Sequence, residues 1–157
     1  MAATATDSAA AGVDGYIVPD LPADESDEVL AACRREGLDL IFLLAPTSTE
    51  ARIEAAARHA SGFLYCVSLV GVTGARTSLP ASVGKLVRDV KAASPVPVAV
   101  GFGVSTPAHV RMIAKAGSDG VVVASALVDA LGPDGRDIAG LSALVGRLRE
   151  ATATVRT

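Results

Sequence analysis

The chain has 157 residues, a length that allows one domain with its own hydrophobic core. Half of the residues are hydrophobic, but only two Tyr, three Phe and no Trp are present, which is typical of helices packed on buried parallel strands and argues against an aromatic-rich binding surface. With 14 Lys and Arg against 17 Asp and Glu, the net charge is −3, so no basic surface is available for nucleic acid or an anionic membrane.

Short β-branched segments alternate with longer amphipathic segments, which is the pattern of βα units in a parallel sheet. The predicted strands, each apolar on both faces, are Tyr16–Val18, Leu40–Leu44, Phe63–Val67, Val98–Val100 and Val121–Val123. The predicted helices are Asp24–Glu36, Thr49–His59, Ser82–Ala93, Pro107–Ala116 and Leu141–Thr152, with a further short one from Ala124 to Leu131. Residues 1–11 have the character of the end of a helix, so the chain is expected to start in the middle of a βα unit.

Two closely similar segments, Ala11–Gly15 and Ala116–Gly120, each end a helix and open a strand, which indicates an internal βα repeat. Repeated βα units favour either a barrel or an open doubly wound sheet. Five strands cannot close an eight-stranded barrel, so the first and last strands are expected to expose unpaired edges. No linker interrupts the chain, and residues 1–157 are predicted to form a single α/β domain.

The other general features predict a soluble protein of the cytoplasm. Cys33 and Cys66 have neither the spacing of a disulfide framework nor that of a metal site, and neither has a nearby base that would make it a nucleophile. No carboxylate–histidine cluster suggests a metal. The first ten residues do not resemble a secretory or transit peptide, and the longest apolar run, Gly120–Val128, is too short to cross a bilayer.

The turns that follow the predicted strands are the candidate ligand sites, because parallel α/β proteins bind ligands beyond the carboxyl ends of their strands. Successive turns around Gly103 and Ser125 predict a phosphate site, since backbone N–H groups at glycine-rich turns and helix starts bind phosphate. For either turn alone, a purely structural role of its small residues is at least as good an interpretation. Gly101-Phe102-Gly103 lacks the third glycine or alanine of a dinucleotide fingerprint, so NAD is not expected.

Two polar side chains each allow two interpretations. Asp20 follows the first strand and lies between two prolines, a position that suits a ligand-facing acid but also an aspartate of a turn or helix cap. Tyr65 shares a strand face with Phe63 and Val67. It either fills the core or holds its phenol above the barrel interior, where it would carry or orient a proton.

Five motifs resemble, in order and spacing, the second part of tryptophan synthase alpha subunits, and the match covers nearly the whole chain. They are residues 11–22 (AGVDGYIVPDLP), 43–48 (LLAPTS), 62–68 (GFLYCVS), 71–76 (GVTGAR) and 100–105 (VGFGVS). The loop at residues 68–74 (SLVGVTG) is the most specific element. The resemblance implies a (β/α)₈ TIM barrel, here a partial barrel of about five βα units.

The resemblance also implies a lyase of tryptophan biosynthesis. Such an enzyme cleaves indole-3-glycerol phosphate to indole and glyceraldehyde 3-phosphate by a retro-aldol reaction without a cofactor, and passes indole to a beta subunit in an alpha2beta2 heterotetramer. Tyr65 is implied to lie beside the reacting carbons, and the loop with Thr73 and Gly74 to close over the substrate. The substrate-binding positions expected are Ile17, Pro19, Asp20, Thr73, Gly74, Gly101, Phe102, Gly103, Val122, Ala124 and Ser125.

Two departures from the family pattern affect these expectations. Ala124 stands where the family usually has glycine, so an extra methyl lies beside the expected phosphate. The family's catalytic glutamate and its partner aspartate belong to a second βα unit that these residues do not include. Because losing a general acid or base typically costs a factor of about 10²–10⁴ in rate, the chain alone is expected to be inactive.

Three alternatives stay open at this point. A relative of phosphoribosyl-anthranilate isomerase or of indole-glycerol-phosphate synthase would also bind phosphate in a barrel, but the 71–76 loop argues against it. A five-stranded flavodoxin-like module would bind phosphate through Gly103 and Ser125 without catalysis. A non-catalytic partner would still dock on a beta subunit.

Overall fold

The computed structural model describes residues 2–67, 81–101 and 103–153. The strands in these ranges are β1 (Gly15–Ile17), β2 (Asp39–Ile41), β3 (Leu43–Leu44), β4 (Leu64–Val67), β5 (Val98–Gly101) and β6 (Gly120–Val121). The α-helices are α1 (Ala2–Ala10), α2 (Asp27–Glu36), α3 (Glu50–His59), α4 (Ala81–Ala93), α5 (Pro107–Lys115), α6 (Ser125–Asp129) and α7 (Ile138–Ala153). None of these helices is long and apolar enough to cross a membrane.

The strands are parallel and follow one another in the order of the chain. β1 pairs with β2, and β3, β4, β5 and β6 pair in sequence. A flavodoxin-like sheet has the order 2-1-3-4-5, whereas consecutive pairing of parallel strands is the arrangement of a barrel wall. The prediction of a partial (β/α)₈ barrel is therefore confirmed, and the flavodoxin-like alternative is wrong.

Two predicted elements are wrong in detail. The predicted strand Leu40–Leu44 is two strands, because β2 pairs back to β1 while β3 pairs forward to β4, with Phe42 between them. The predicted helix Asp24–Glu36 begins later, since a 3₁₀ turn at Ala23–Glu25 comes first. The buried Ser26 joins the two by donating its hydroxyl to the Ala23 carbonyl at 2.8 Å.

Helix ends follow the local sequence. The Thr106 hydroxyl accepts the His109 N–H at 3.2 Å and caps α5, with Pro107 in its first turn; a hydroxyl residue followed by proline is a sequence pattern typical of a helix start. Gly37 ends α2 with φ +70°, a left-handed conformation that glycine adopts without steric cost. The Thr106 cap thus sets where α5 begins, and Gly37 sets where α2 ends and the chain turns toward β2.

The sheet has an outer face that packs on the helices and an inner face that corresponds to the barrel interior. The outer face holds the largest hydrophobic cluster, and its strand residues are Leu40, Leu44, Leu64, Cys66, Val98 and Val100. Residues paired in register point to the same side of a sheet, so the inner face carries the row Leu43, Tyr65, Ala99 and Gly120. The hydrophobic core cluster thus lies between the sheet and the helices.

The outermost strands are less buried than predicted. Ile17 on β1 is 47 % exposed, and both residues of β6 are only half-buried. The prediction that every strand is covered on both faces is therefore wrong for β1 and β6. For Ile17 the physical reason is that the inner face of a barrel wall is covered only when strands on the opposite side close over it. β6 is the last strand in the order of the described sheet, so one of its edges has no neighbouring strand there.

Candidate functional site

The inner face is organised around Tyr65 and Gly101. Tyr65 is buried and lies in register with Leu43 and Ala99 on the neighbouring strands. Its ring extends along the sheet until the phenol lies against Gly101, the last residue of β5. A Cβ atom at Gly101 would come within 2.6 Å of Tyr65 Cε2 and 2.7 Å of Cζ. The missing side chain at position 101 therefore makes the space that the phenol occupies.

This contact combines the two interpretations of Tyr65. The ring fills the inner face, and its polar end reaches the carboxyl edge of the sheet, where ligands bind in barrels. The sequence singled out Gly101 as part of a glycine-rich turn, and the family resemblance added it to the expected substrate-binding positions. The contact of the Tyr65 ring with Gly101 has no local sequence signal, because this contact depends on the register of β4 against β5.

The two turns expected to bind phosphate follow adjacent strands. β5 and β6 pair with Val100 opposite Val121, and the Val122 N–H extends the pairing by donating to the Val100 carbonyl at 2.9 Å. The turn at Gly103 and the start of α6 at Ser125 therefore leave the same edge of the sheet. Gly103 and Ser125 are both exposed, and Gly103 has φ +70°, so it needs glycine.

Ala124 does not have the left-handed backbone conformation that would require glycine. It precedes α6 with φ −130° and ψ −80°, and its carbonyl accepts the N–H groups of Leu127 and Val128. Because φ is negative, the methyl group does not meet the penalty of the left-handed region. The first N–H groups of a helix have no partner within it, so those at the start of α6 can donate to an acceptor outside the helix, such as a phosphate oxygen.

Pro19 and Asp20 lie at a different place. They line a cleft of about 560 Å³ between the β1–α2 connection and α3, together with outer-face residues such as Phe42 and with Arg52 of α3. Neither Tyr65 nor Gly101 lines this cleft. Asp20 is exposed there, and the cleft brings it together with Leu43 of the inner face but not with Tyr65 or Gly101.

The other predicted positions divide into two groups. The first group has known positions. Ile17 lies on the inner face of β1, the first strand in the order. Half-buried Val122 directly follows β6, the last strand in that order. Thr73, Gly74 and Phe102 lie outside the described residues.

The ionisable groups of the core are not nucleophiles. Burial raises the pKa of the Cys66 thiol to about 12, and burial also raises the pKa of Cys33. Both thiols therefore stay protonated at neutral pH, in line with the expectation that neither cysteine acts as a nucleophile. Residues 2–67, 81–101 and 103–153 contain no group of three His, Cys, Asp or Glu side chains arranged to hold a metal ion.

Sequence reasoning missed Asp119, which fastens β5 to β6. Its Oδ2 accepts the Val98 N–H at 2.8 Å, and its Oδ1 accepts from Lys91 Nζ at 2.6 Å. The Lys91 ammonium, helped by the Val98 N–H, holds the pKa of Asp119 below its usual range. The available signal was the repeated Ala116–Gly120 segment, in which this aspartate recurs.

Asp119 is expected to make stability depend on pH in a defined direction. Its folded pKa lies below the ordinary value of 3.8, so its contribution is complete well above pH 3.8 and is lost as the pH falls through the folded pKa. Because its side chain is 40 % exposed, solvent screens the interaction, and Asp119→Asn should cost below about 1 kcal/mol at pH 7. Urea unfolding from pH 7 to pH 3 measures this.

The difference between wild type and Asp119→Asn should shrink toward pH 3. A difference that stays constant over this range would show that ionisation of Asp119 does not contribute. Asp89→Asn is the matched control, since Asp89 pairs with Lys85 on the surface of α4, and the substitution should change stability little at any pH.

The fold and the site together define a class of protein: part of a parallel βα barrel whose carboxyl edge carries a buried tyrosine and adjacent candidate phosphate-binding turns. A family model described as tryptophan synthase alpha chain matches residues 3–153. The chain belongs to the tryptophan synthase alpha chain family.

Individual relatives agree with this assignment. A tryptophan synthase alpha chain of Picosynechococcus sp. is 48 % identical over 147 residues, which are 92 % of this chain and 56 % of the relative. The one from Geobacter sulfurreducens is 54 % identical over 124 residues, 79 % of this chain and 47 % of the relative. The chain thus spans about half the length of the curated relatives it matches.

Solved structures show the same likeness. A tryptophan synthase structure from M. tuberculosis, in an open form, superposes with a TM-score of 0.81 at 42 % identity over 96 % of this chain and 55 % of that one. A chain of the tryptophan synthase a2b2 complex from Pyrococcus furiosus gives a TM-score of 0.83 at 38 % identity, covering 97 % of this chain and 60 % of that one.

Proposed function

We propose that this chain supplies the phosphate-binding part and the tyrosine of an active site that cleaves indole-3-glycerol phosphate to indole and glyceraldehyde 3-phosphate. The observation that carries the proposal is the pairing of β5 with β6, since it sends the Gly103 and Ser125 turns from one edge of the sheet beside Tyr65 and Gly101. Membership of the tryptophan synthase alpha chain family supports the choice of substrate and reaction.

The phosphate is proposed to bind to backbone N–H groups at Gly103 and at the start of α6, with the Ser125 hydroxyl as an additional donor. Backbone donors at turns and helix starts bind a doubly charged phosphate without a cationic side chain. This suits a chain with a net charge of −3, which attracts anions only through local donors. Ile17 and Val122 are proposed to border the indole ring from the two sides of the inner face.

Tyr65 is proposed to position the reacting part of the substrate. A retro-aldol cleavage breaks the bond between the indole ring and the glycerol phosphate; the ring carbon gains a proton, and a glycerol hydroxyl loses one as it becomes the aldehyde. These transfers need a general acid and base. The resemblance assigns them to carboxylates on another βα unit, so the 157 residues alone are proposed to bind phosphate without turnover.

The wider assignments belong to the same proposal. The active barrel is proposed to be a lyase of tryptophan biosynthesis that needs no cofactor, acts in the cytoplasm and docks on a beta subunit. The P. furiosus structure is described as an a2b2 complex, which supports this kind of partner. Pro19, Asp20, Thr73, Gly74 and Phe102 remain proposed substrate contacts. Residues 1–157 are proposed to act as one partial-barrel domain.

Ser125→Asp is expected to weaken phosphate binding by placing a negative charge at the start of α6. A titration of the ¹⁵N-labelled chain with glycerol 3-phosphate should shift the amide signals of Gly103 and Ser125 in the wild type. In the variant, the affinity should fall by about 10-fold or more, since a like charge within a few ångströms costs more than about 1.4 kcal/mol.

Ser142→Asp is the matched control, because Ser142 is exposed on α7, outside the two turns. It should bind glycerol 3-phosphate like the wild type. Unchanged binding in Ser125→Asp, or shifts confined to other amides, would contradict a phosphate site at these turns.

A further inference from the structure

A recurring bond fastens neighbouring strands at their amino ends. The Asp119 carboxylate, directly before β6, accepts the N–H of Val98 at 2.8 Å, and Val98 is the first residue of β5. The Ser61 hydroxyl, shortly before β4, accepts the N–H of Leu40 in β2 at 3.1 Å. β2 continues through Phe42 into β3, and β3 is the strand that pairs with β4. In both cases, therefore, a polar side chain that precedes one strand accepts an N–H near the amino end of the adjacent chain segment of the sheet.

Around Asp119 the bond is reinforced by a charge pair. Lys91, in the last turn of α4, places its ammonium 2.6 Å from Asp119 Oδ1. α4 is the helix that leads into β5, so the aspartate holds both the start of a strand and the end of the helix before that strand. Charge-assisted hydrogen bonds of this kind are stronger than neutral ones.

The same segment precedes β1. Ala11–Gly15 differs from Ala116–Gly120 only by Val13 in place of Ser118. The backbone repeats as well, since Gly12 and Gly117 have φ +87° and +93° in equivalent positions. Asp14 therefore stands before β1 as Asp119 stands before β6.

The partner of Asp14 differs from that of Asp119. Asp14 is exposed, and its carboxylate has no hydrogen-bond or ion-pair partner among residues 2–67, 81–101 and 103–153. Over the same residues β1 pairs only with β2, which leaves its other edge free. Beside that edge the Ile17 side chain is 47 % exposed.

We propose that Asp14 is a docking residue for a parallel strand on the free edge of β1. Its carboxylate accepts the first N–H of that strand and pairs with a Lys or Arg from the end of the helix before it. The occupant is a βα unit of the barrel that precedes β1. Two observations select this occupant: the strands pair in chain order, and about half of each matched relative lies outside the matched region.

The test measures assembly and does not depend on catalysis. The part of the Picosynechococcus relative that this chain does not match is produced separately and titrated into the 157-residue chain by isothermal calorimetry. The wild type should form a one-to-one complex. Asp14→Ala should weaken it by about 10-fold or more, as expected for loss of a charged hydrogen-bond partner. Asp14→Asn, which keeps an acceptor oxygen without the charge, should lie between them.

Two controls separate docking from folding. Asp89→Ala, on α4 and away from both sheet edges, should bind like the wild type. Urea unfolding of the chain alone should be the same for wild type and Asp14→Ala, because Asp14 has no partner in the described residues. Asp14→Ala binding as tightly as the wild type would overturn the proposal.

Two further outcomes are decisive. If the separate parts do not associate, the two parts are joined in one polypeptide and the urea unfolding of that polypeptide is measured. Asp14→Ala must then lower the resistance of the joined polypeptide to urea, while Asp89→Ala must not. Equal resistance of the two variants would overturn the proposal. If the chain self-associates and Asp14→Ala abolishes this, a second copy occupies the edge and the proposed occupant is wrong.

Discussion

Gly101→Ala is expected to lower the free energy of unfolding by about 1–3 kcal/mol and to displace the Tyr65 ring. The added Cβ would lie 2.6–2.7 Å from two ring carbons, closer than carbon atoms approach in folded proteins. The ring is buried on the inner face, so either the phenol shifts along that face or β4 and β5 move apart to make room for the methyl group. Urea unfolding measures the energy, and the Tyr65 ring signals in NMR spectra report the displacement.

Gly120→Ala is the matched control for this variant. Gly120 lies in the same inner-face row, but a Cβ there would meet only the Ala99 Cβ at 3.4 Å, an ordinary contact. Its stability should change by less than about 0.5 kcal/mol. Equal stability of the two variants, with unshifted Tyr65 signals in Gly101→Ala, would show that the phenol does not depend on the glycine.

Ile113→Ala is expected to destabilise the chain by about 2–5 kcal/mol, the usual cost of removing a fully buried aliphatic side chain. Ile113 on α5 is 0 % exposed and belongs to the cluster between the sheet and the helices. Because α5 follows the Gly103 turn directly, the cavity should also loosen the candidate phosphate site. Denaturant unfolding and glycerol 3-phosphate titration of the same sample measure both effects.

Ile138→Ala tests whether burial is the cause. Ile138 is 65 % exposed at the start of α7, so the same chemical change removes little buried area, and stability should stay within about 0.5 kcal/mol of the wild type. A loss in Ile113→Ala no larger than in this control would contradict the assigned core.

The sequence was a good guide to elements whose signals are local. Alternating short apolar and longer amphipathic segments located five strand regions, and the Thr106 cap and the Gly37 stop placed helix ends. Prediction from the sequence failed for features that depend on which strands pair with each other. The break at Phe42 arises because β2 and β3 have different neighbours, and the exposed Ile17 reflects an uncovered inner face. Neither depends on the residues within the strand.

The candidate site was predictable in a similar way. The Gly103 turn carries its own signal, because a left-handed backbone requires glycine there. Two other contacts join different parts of the sheet: the Tyr65 ring lies against Gly101, and the Asp119 carboxylate accepts the Val98 N–H. Only the register of the strands brings these residues together. Asp20 follows a strand, but the cleft that it lines contains neither Tyr65 nor Gly101, and its role as a substrate contact stays a prediction.

Indole release by a completed barrel is the decisive measurement for the proposal that this chain supplies half of an active site that cleaves indole-3-glycerol phosphate. The part of the Picosynechococcus relative outside the match is joined to this chain in one polypeptide, and indole formation from indole-3-glycerol phosphate is followed with and without a beta subunit. The joined protein is expected to release indole, and Ser125→Asp is expected to suppress indole release when the concentration of indole-3-glycerol phosphate is limiting. A folded joined protein that releases no indole, under conditions in which the intact relative does, would contradict the proposal that this chain supplies half of that active site.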